Sequence, residues 1–543
     1  MSLQIPARAS LADQSFDALV IGGGINGTAI ALQCVRGGLR TLLVEQHDFA
    51  SGTTSRATRI IHGGLRYLEH AEIGLVRESL RERERLLFQW PHLVRPLEFL
   101  LVAPKNTHER HLLRTSMAIR TGLWLYRQWA GGRRHVPGSL REFESQLDSG
   151  HTWSVYSYED GQCEFPERLV AEWLVEATEA GAVAHNHLQV LQIMCREGRA
   201  IGARLRDRVS GKEFSISAKR IINASGPWVD FVMETSGLPL RRLVGGVRGS
   251  HIILPRFANA PSQAVYTEAP DGRPIFIIPW NGQTLVGTTE VADSDDPTHA
   301  APSDDEISYL WNSFVGLFPH TGLSKTDIRY TFAGVRPLPF SPGASMGAVT
   351  RKHIIHDHAQ DGAAGLISII GGKLTTAVSL ARETARKLGL HAPEPVNIFS
   401  PPSPADGVES TVRQWSDLVA HKARIPQENA KAIAEWHGAR ALCIAQSAAR
   451  DESLRMPLCS HNHHIVAEAV EAILHECAVT LADVLLRRVP VALGDCWSES
   501  CSLEAAQRIG AVFGWDQSKI FREKELFEEE RAKFLHPRKN AVS

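Results

Sequence analysis

Up to about residue 400, short apolar runs of strand length alternate with stretches of helical periodicity. Ala18-Leu19-Val20-Ile21, Thr41-Leu42-Leu43-Val44, Ile275-Phe276-Ile277-Ile278 and Leu366-Ile367-Ser368-Ile369-Ile370 are rich in aliphatic and β-branched residues, as strands covered on both faces must be. Strands alternating with helices predict an α/β domain. Ser400-Pro401-Pro402-Ser403-Pro404-Ala405-Asp406-Gly407 interrupts this pattern. Its prolines and glycine read as a linker. Beyond it the chain is rich in Ala, Leu, Glu and Arg at helical spacing, so residues 408–543 are expected to form a separate helical domain. There is no internal repeat.

Composition narrows the class. The 543 residues carry 59 Lys+Arg and 60 Asp+Glu, a net charge of −1, with 43% hydrophobic and 22% charged residues. That balance belongs to an ordinary globular protein of about three domains. It excludes a disordered chain and argues against global attraction to nucleic acid. The eight scattered cysteines include no Cys-x-x-Cys pair and suit a reducing compartment. No apolar run reaches the ~18 residues of a membrane-spanning helix. Met1–Gln14 has no hydrophobic core of a signal peptide. A cytoplasmic location, with membrane contact only at the periphery, is the expectation.

The first apolar run leads into chemistry. Phe16–Ile21 reads as a strand, and Gly22-Gly23-Gly24-Ile25-Asn26-Gly27 fits G-x-G-x-x-G. A helical stretch follows, then a second strand ending at Glu45, 18 residues after Gly27. Gly22 allows the tight turn, Gly24 admits a pyrophosphate close to the backbone, and Gly27 lets the helix pack on the strand. The helix N-terminus attracts phosphate. Glu45 suits ribose hydroxyls. Strand, helix and acid in register point to a dinucleotide, and leave FAD and NAD unresolved.

The continuation, with Ser51-Gly52-Thr53-Thr54-Ser55-Arg56 and Ile61-His62-Gly63-Gly64-Leu65-Arg66-Tyr67, resembles the FAD-dependent glycerol-3-phosphate dehydrogenases. The matching stretches are VIGGGINGTAIA, TSRATRIIHGGLRYLEH, NASGPWVD, RGSHIILP, FIIPW, VGTTE, GVRPL, TRKH and GGKLTT. They stand in the family's order over roughly residues 16–380. HECAVTLADVLLRR at residues 475–488 resembles the family's C-terminal domain.

The resemblance implies a glutathione-reductase-type FAD-binding Rossmann domain within residues 16–400. It is interleaved with an α+β substrate domain like that of D-amino-acid oxidase (about 80–160 and 235–340), with the helical domain at 408–543. It implies oxidation of sn-glycerol 3-phosphate to dihydroxyacetone phosphate. Hydride passes from C2 to FAD N5 and electrons pass to a membrane quinone. The enzyme would sit on the cytoplasmic face of the membrane, with a homodimer allowed and no nucleic-acid partner. The implied cofactor residues are Gly22, Gly24, Ile25, Asn26, Gly27, Glu45, Thr53, Thr54, Ser55, His62, Gly63, Gly64, Ala224, Gly226, Gly372, Lys373, Leu374 and Thr375.

The protein must also grip a phosphate, accept a proton and stabilise negative charge on the flavin. Guanidinium binds phosphate through two parallel bonds. Arg66, Arg336, Arg351 and Lys373 are the candidate cations, with Tyr67 as a hydroxyl donor. Which of them meets phosphate and which the C1 or C2 oxygen is open. His251 is the candidate base, and His62, more a positioning residue, is the other. His251, Arg336 and Lys373 form the expected catalytic set. Ser368–Thr376 reads as strand, glycine turn and helix start, suited to negative charge on the flavin ring.

Four features stand apart. Relatives tend to carry Asp-Ala-Arg-Leu where this chain has Pro166-Glu167-Arg168-Leu169, and a lost substrate contact would alter selectivity. Cys459-Ser460-His461-Asn462-His463-His464, near His475 and Cys477, lacks the spacing of a closed zinc site, so no metal is expected. His353, His356 and His358 read as mostly exposed. Residues 92–134 carry eight basic residues and two acids, interleaved with Leu112, Leu113, Met117, Leu123, Trp124, Tyr126 and Trp129. They read either as a buried helix with a basic rim or as an interfacial helix for a membrane. Competing functions are a glycerol-3-phosphate oxidase using oxygen, a flavin oxidase of another small hydroxy acid or amine, and a flavin-binding protein without catalysis.

Overall fold

The computed structural model describes residues 11–65, 72–104, 116–129, 143–238, 241–343, 349–391 and 407–536. Arg66, Tyr67, Ser400–Asp406 and the basic residues Lys105, Arg110, Arg114, Arg133 and Arg134 lie outside them.

Three of the four apolar runs, Ala18–Ile21, Thr41–Val44 and Leu366–Ile370, lie in an eight-stranded sheet, and Ile275–Ile278 lies in a second sheet. Leu366–Ile370, Glu213–Asn223, Ser15–Ile21, Thr41–Val44 and Val183–His185 are parallel neighbours in that order. Ile354–Asp357 closes one edge antiparallel. The hairpin Leu188–Arg196 and Arg199–Asp207 pairs with the long strand Glu213–Asn223. The helix Ile25–Arg36 packs on this sheet through Ile25, Ala29, Ile30 and Leu32. Val20, Leu43, Ile222 and Ile367 meet it from the sheet.

A second sheet has nine strands, mostly antiparallel. Val244–Pro255 is its longest strand, paired on one side with Gln283–Gly287 and on the other with Tyr330–Pro339. These two pairings bring residues from around positions 250, 287 and 335 together. The C-terminal ends of the parallel strands face this sheet, the usual position of a ligand crevice in such folds.

The C-terminal segment is helical, with Gly407–Ala423, Gln427–His437, Ala441–Arg450, Val466–His475, Glu499–Phe513 and Gln517–Leu535. Its apolar residues form one continuous cluster with Phe165, Trp280, Tyr330 and Phe332 of the substrate-side sheet. Buried charges reinforce the seam. Arg168 donates to Glu476 at 2.7 Å and Glu172 at 2.8 Å, and Arg440 reaches Glu471 at 3.0 Å and Glu476 at 3.3 Å. Arg488 forks onto Asp48 with two bonds of 2.8 Å. Arg487 also pairs with Asp48 and reaches Glu530 at 2.7 Å. Val484–Arg488 forms a widened helical turn, closed by Val489 N–H onto Val484 O. This turn buries both adjacent arginines.

Three expectations change. The basic stretch is not helical throughout, because Val94–Pro104 is a strand with Phe99–Val102 buried. The helix Ser116–Trp129 follows, and it buries Leu123 and Tyr126 while leaving Trp124 58% exposed. Second, the histidines of residues 353–358 are not mostly exposed. His353 and His358 are buried. His358 bonds Asp361 and Ser368, and His353 bonds Glu383, which removes the cost of enclosing their ring nitrogens. Third, Glu167 does not point at substrate. It is buried against Arg59, with both oxygens 3.0 Å from the guanidinium, while its neighbour Arg168 joins the seam. Pro166 occupies the first turn of the helix Pro166–Glu179, where its missing N–H costs nothing.

Candidate active site

A cavity of about 1470 Å3 runs between the two sheets. It exceeds the ~300–1,000 Å3 of ordinary small-ligand pockets, as a site for a dinucleotide plus a substrate should. At one end is the glycine turn. Gly22 has φ of +104°, and a Cβ there would lie 2.6 Å from Ala224 O. A Cβ on Gly27 would stand 1.8 Å from Gly22 O, so only glycine lets the helix start this close to the strand. Gly27 therefore shapes the cradle from behind, while Gly22, Gly24, Ile25 and Asn26 line the cavity. The first helical turn carries no acid, leaving its partial positive charge for an anion.

Glu45 ends the second strand, as expected. Its carboxylate accepts from Gly23 N–H at 2.7 Å and His47 N–H at 2.9 Å. Burial raises its pKa, and those two bonds oppose the shift. Thr54 Oγ1 accepts from Ile25 N–H at 3.0 Å, tying the hydroxyl run to the glycine turn. Thr53 donates to Val335 O, and Ser55 to Ala50 O. Ala224 and Gly226 also line the cavity.

The other glycine turn follows the strand Leu366–Ile370. Gly371 and Gly372 have φ of +80° and +100°. A Cβ on Gly372 would meet Asn26 Nδ2 at 2.3 Å, and that amide donates to Gly371 O. The buried Oδ1 of Asn26 has no protein partner and is available to a ligand. Lys373, Leu374 and Thr375 line the cavity just before the helix Ala377–Lys387. Thr375 Oγ1 accepts from His62 N–H at 3.2 Å. His62 and Gly64 face the cavity, whereas Gly63 is buried behind it. The Gly63 N–H points to Tyr126 Oη at 2.8 Å, and Tyr126 donates to Asp160. Tyr126 therefore braces the inner wall instead of facing outward.

Between the two turns stand the residues expected to act on substrate. His251 lies on Val244–Pro255, stacked on Phe332 at 4.7 Å, with Nε2 3.0 Å from Thr58 Oγ1. A Cβ on Gly287, its cross-strand partner, would strike the imidazole at 2.1 Å. Burial, then the nearby Arg336 and Arg59, lower its pKa to about 3, so the ring is neutral at pH 7. Its Nδ1 is buried without a protein partner.

Arg336 donates to Thr288 Oγ1 at 3.0 Å and lies 3.6 Å from Glu290. Arg351 pairs with the same Glu290 oxygen at 3.0 Å. Lys373 opens into this end of the cavity. Burial is the main cause lowering its pKa to about 7, Glu72 opposes the shift and Arg351 adds to it. Burial also lowers His62 to about 4, helped by Lys373 and Arg83. One carboxylate thus serves two guanidiniums beside a third cation, leaving positive charge for an anion.

Sequence reasoning overlooked Thr58, Thr288 and Glu290, which orient His251, Arg336 and Arg351. Their signal was weak, because a hydroxyl or acid gains meaning only when folding brings its partner alongside. Arg56, in the hydroxyl run, also lines the cavity and lies 5.4 Å over the Phe534 ring.

Residues 17–378 match the family described as FAD dependent oxidoreductase. Residues 403–520 match the C-terminal domain of alpha-glycerophosphate oxidase. The glycerol-3-phosphate dehydrogenase of Synechocystis sp. is 35% identical over 532 residues, covering 95% of this chain and 96% of its own. The aerobic glycerol-3-phosphate dehydrogenase of Escherichia coli is 36% identical over 386 residues, covering 68% of this chain and 73% of its own. In fold, the chain is similar to glycerol-3-phosphate dehydrogenase from Bacillus halodurans complexed with FAD. That likeness has a TM-score of 0.75 at 24% identity and covers 96% of both chains. The glycine cradle, the orphaned Asn26 oxygen and the placement of Glu45 fit FAD as the cofactor. By sequence, domain order and fold, this chain belongs to the FAD-dependent glycerol-3-phosphate dehydrogenase family.

Proposed function

We propose that this protein oxidises sn-glycerol 3-phosphate to dihydroxyacetone phosphate and passes the electrons to a membrane quinone from the cytoplasmic face. The observation that carries this reading is the convergence of Arg336 and Arg351 on one oxygen of Glu290, with Lys373 on the wall of the same cavity. Two guanidiniums and an ammonium on one cavity wall suit a small phosphorylated substrate. FAD, when bound, supplies the acceptor for the hydride leaving C2.

The side chains supply the rest. Arg336, Arg351 and Lys373 hold the phosphate and the substrate oxygens. His251, neutral at working pH, takes the proton of the C2 hydroxyl, with Thr58 fixing the ring through Nε2 and leaving Nδ1 toward substrate. The backbone at Gly371–Thr376, leading into a helix N-terminus, stabilises negative charge beside it. Arg66 and Tyr67 remain candidates for the same clamp. A peripheral membrane contact through the helix bearing Trp124 is part of this proposal. Among the described residues no helix is long and apolar enough to cross a membrane.

Anaerobic addition of sn-glycerol 3-phosphate to the yellow holoenzyme should bleach the flavin absorbance, and a quinone should restore it. A spectrum unmoved by the substrate overturns the reading. His251→Ala should lower kcat by about 10²–10⁴-fold with flavin content unchanged. Near-normal turnover removes His251 from the mechanism. A second reading is an oxidase, favoured by the C-terminal match to alpha-glycerophosphate oxidase. Stoichiometric peroxide in air, with quinone reduction no faster than oxygen consumption, would select it. A third reading, a different hydroxy acid or amine as substrate, rests on the Pro166 that stands where relatives carry Asp, and bleaching of the flavin by that compound and not by sn-glycerol 3-phosphate would select it.

A further inference from the structure

Three of the eight cysteines converge in the helical domain, far along the chain from the glycine turns. Cys459 and Cys501 are fully buried and Cys496 is half-buried, and all three are free thiols. The Sγ atoms of Cys459 and Cys501 and a ring nitrogen of His461 lie within 4.8 Å of one another. Cys501 Sγ is 3.5 Å from His461 Nδ1. Cys496 lies beside Cys459, and Cys501 Sγ approaches Cys496 O at 3.5 Å. None of the four residues lines the large cavity.

We propose that Cys459, His461, Cys496 and Cys501 bind one structural divalent transition metal of the zinc class. Zinc takes thiolate at ~2.3 Å and imidazole at ~2.0–2.1 Å in a tetrahedron, which sets sulfur and nitrogen ligands about 3.6 Å apart. The observed Cys501–His461 separation is that of a tetrahedral edge. Cys459, Cys501 and His461 already converge, and Cys496, outside that set, brings its sulfur in as the fourth ligand by rotation of its side chain on binding, so the metal is a clip and takes no part in the redox reaction. Binding releases the thiol protons to solvent.

Neighbouring side chains donate to both buried sulfurs. Asn462 Nδ2 donates to Cys459 Sγ at 2.9 Å and Ser498 Oγ to Cys501 Sγ at 3.5 Å. Cys501 sits in the first turn of the helix Glu499–Phe513, whose N-terminus stabilises a sulfur anion. His461 is exposed and offers the metal its path of entry. The clip ties the loop before Val466–His475 to the loop before Glu499–Phe513, two segments that share no strand. Of the three other clusters of metal-ligating residues among the described residues, Glu172–His437–Glu476 and Asp48–His187–Asp483 are interleaved with arginine, which repels a cation, and in His356–His358–Asp361 both nitrogens of His358 are taken up by Asp361 and Ser368.

The test uses the full-length holoenzyme with any affinity tag removed, reduced, and dialysed against metal-free buffer. Elemental mass spectrometry should find about one zinc per chain, and X-ray absorption should give a shell of sulfur with one nitrogen at the distances above. The Cys459→Ser/Cys501→Ser double variant should lose the metal. His461→Ala alters an exposed side chain and should keep the native circular dichroism, yet yield zinc to a chelator at least about tenfold faster. Three results would overturn the assignment. One is sub-stoichiometric metal both as purified and after equilibration of the reduced protein with zinc chloride. Another is zinc retained at full content in the double variant. The third is a disulfide among these cysteines in the freshly isolated protein.

Discussion

Two parts of this molecule bury clusters of charge, and they do so for opposite ends. At the seam with the helical domain, Arg168, Arg440, Arg487 and Arg488 are matched by Asp48, Glu172, Glu476 and Asp483. In the cavity, Arg336 and Arg351 share Glu290, and Lys373 stands beside them. The difference shows in the titration of each region. Burial by itself would raise the Glu476 carboxyl, but Arg168 and Arg440 hold it down at about 2. For Lys373, Glu72 and Glu78 offset burial only in part, and its pKa falls to about 7. A seam that satisfies its own charges can be stable alone. A pocket that does not is poised for a ligand to complete it.

The sharpest way to break the comparison is to remove one acid from the seam. Glu476→Ala leaves Arg168 and Arg440 short of a buried partner and should cost about 3–5 kcal/mol of stability, read as a lower melting temperature. A shift within experimental error would mean that the seam's charges are solvated. Arg336→Ala should act in reverse, lowering kcat/KM by about 2–5 kcal/mol of transition-state binding while the melting temperature holds or rises. Equal loss of stability in both variants would erase the distinction.

Smaller effects follow from pH. The Lys373 pKa is depressed on folding, so the unfolded chain holds more protons between about pH 7 and the ordinary lysine value near 10.4. Its contribution to stability therefore rises with pH across that window. Catalysis should move the other way, with kcat/KM falling above about pH 7 as the free enzyme's ammonium loses its proton. Lys373→Met should flatten both dependences. Glu476 gives a slope of the same sign in an acid window. Its stabilising effect is complete above the ordinary carboxylate range and fades as pH falls toward about 2.

Much of the nucleotide half was legible in the sequence, because its signals are local. Gly22, Gly24 and Gly27 lie within one turn of chain, and Thr41–Val44 with Glu45 lies one helix away. The substrate half was legible only as separate residues. His251, Arg336 and Arg351 could be named from their motifs, but their meeting depends on pairings such as Arg248 with Val335 and His251 with Gly287, which no local pattern encodes. The same limit hid the role of Glu167, whose partner Arg59 is distant in sequence, and the approach of Cys501 to His461. The basic stretch is helical over Ser116–Trp129, as its apolar spacing implied, but its earlier part is a strand. Its spacing of apolar residues over Phe99–Val102 fits a buried strand as well as a helix face.

Asp48 belongs to both regions. It lies on the wall of the nucleotide cavity and receives Arg487 and Arg488 from near the end of the chain. Phe527 and Phe534, from the final described helix, line the same cavity. Although the glycine turn is synthesised first, the chamber around it closes only when the last helices arrive. Closure of the cofactor chamber thereby waits on segments made long after the glycine turn that opens it.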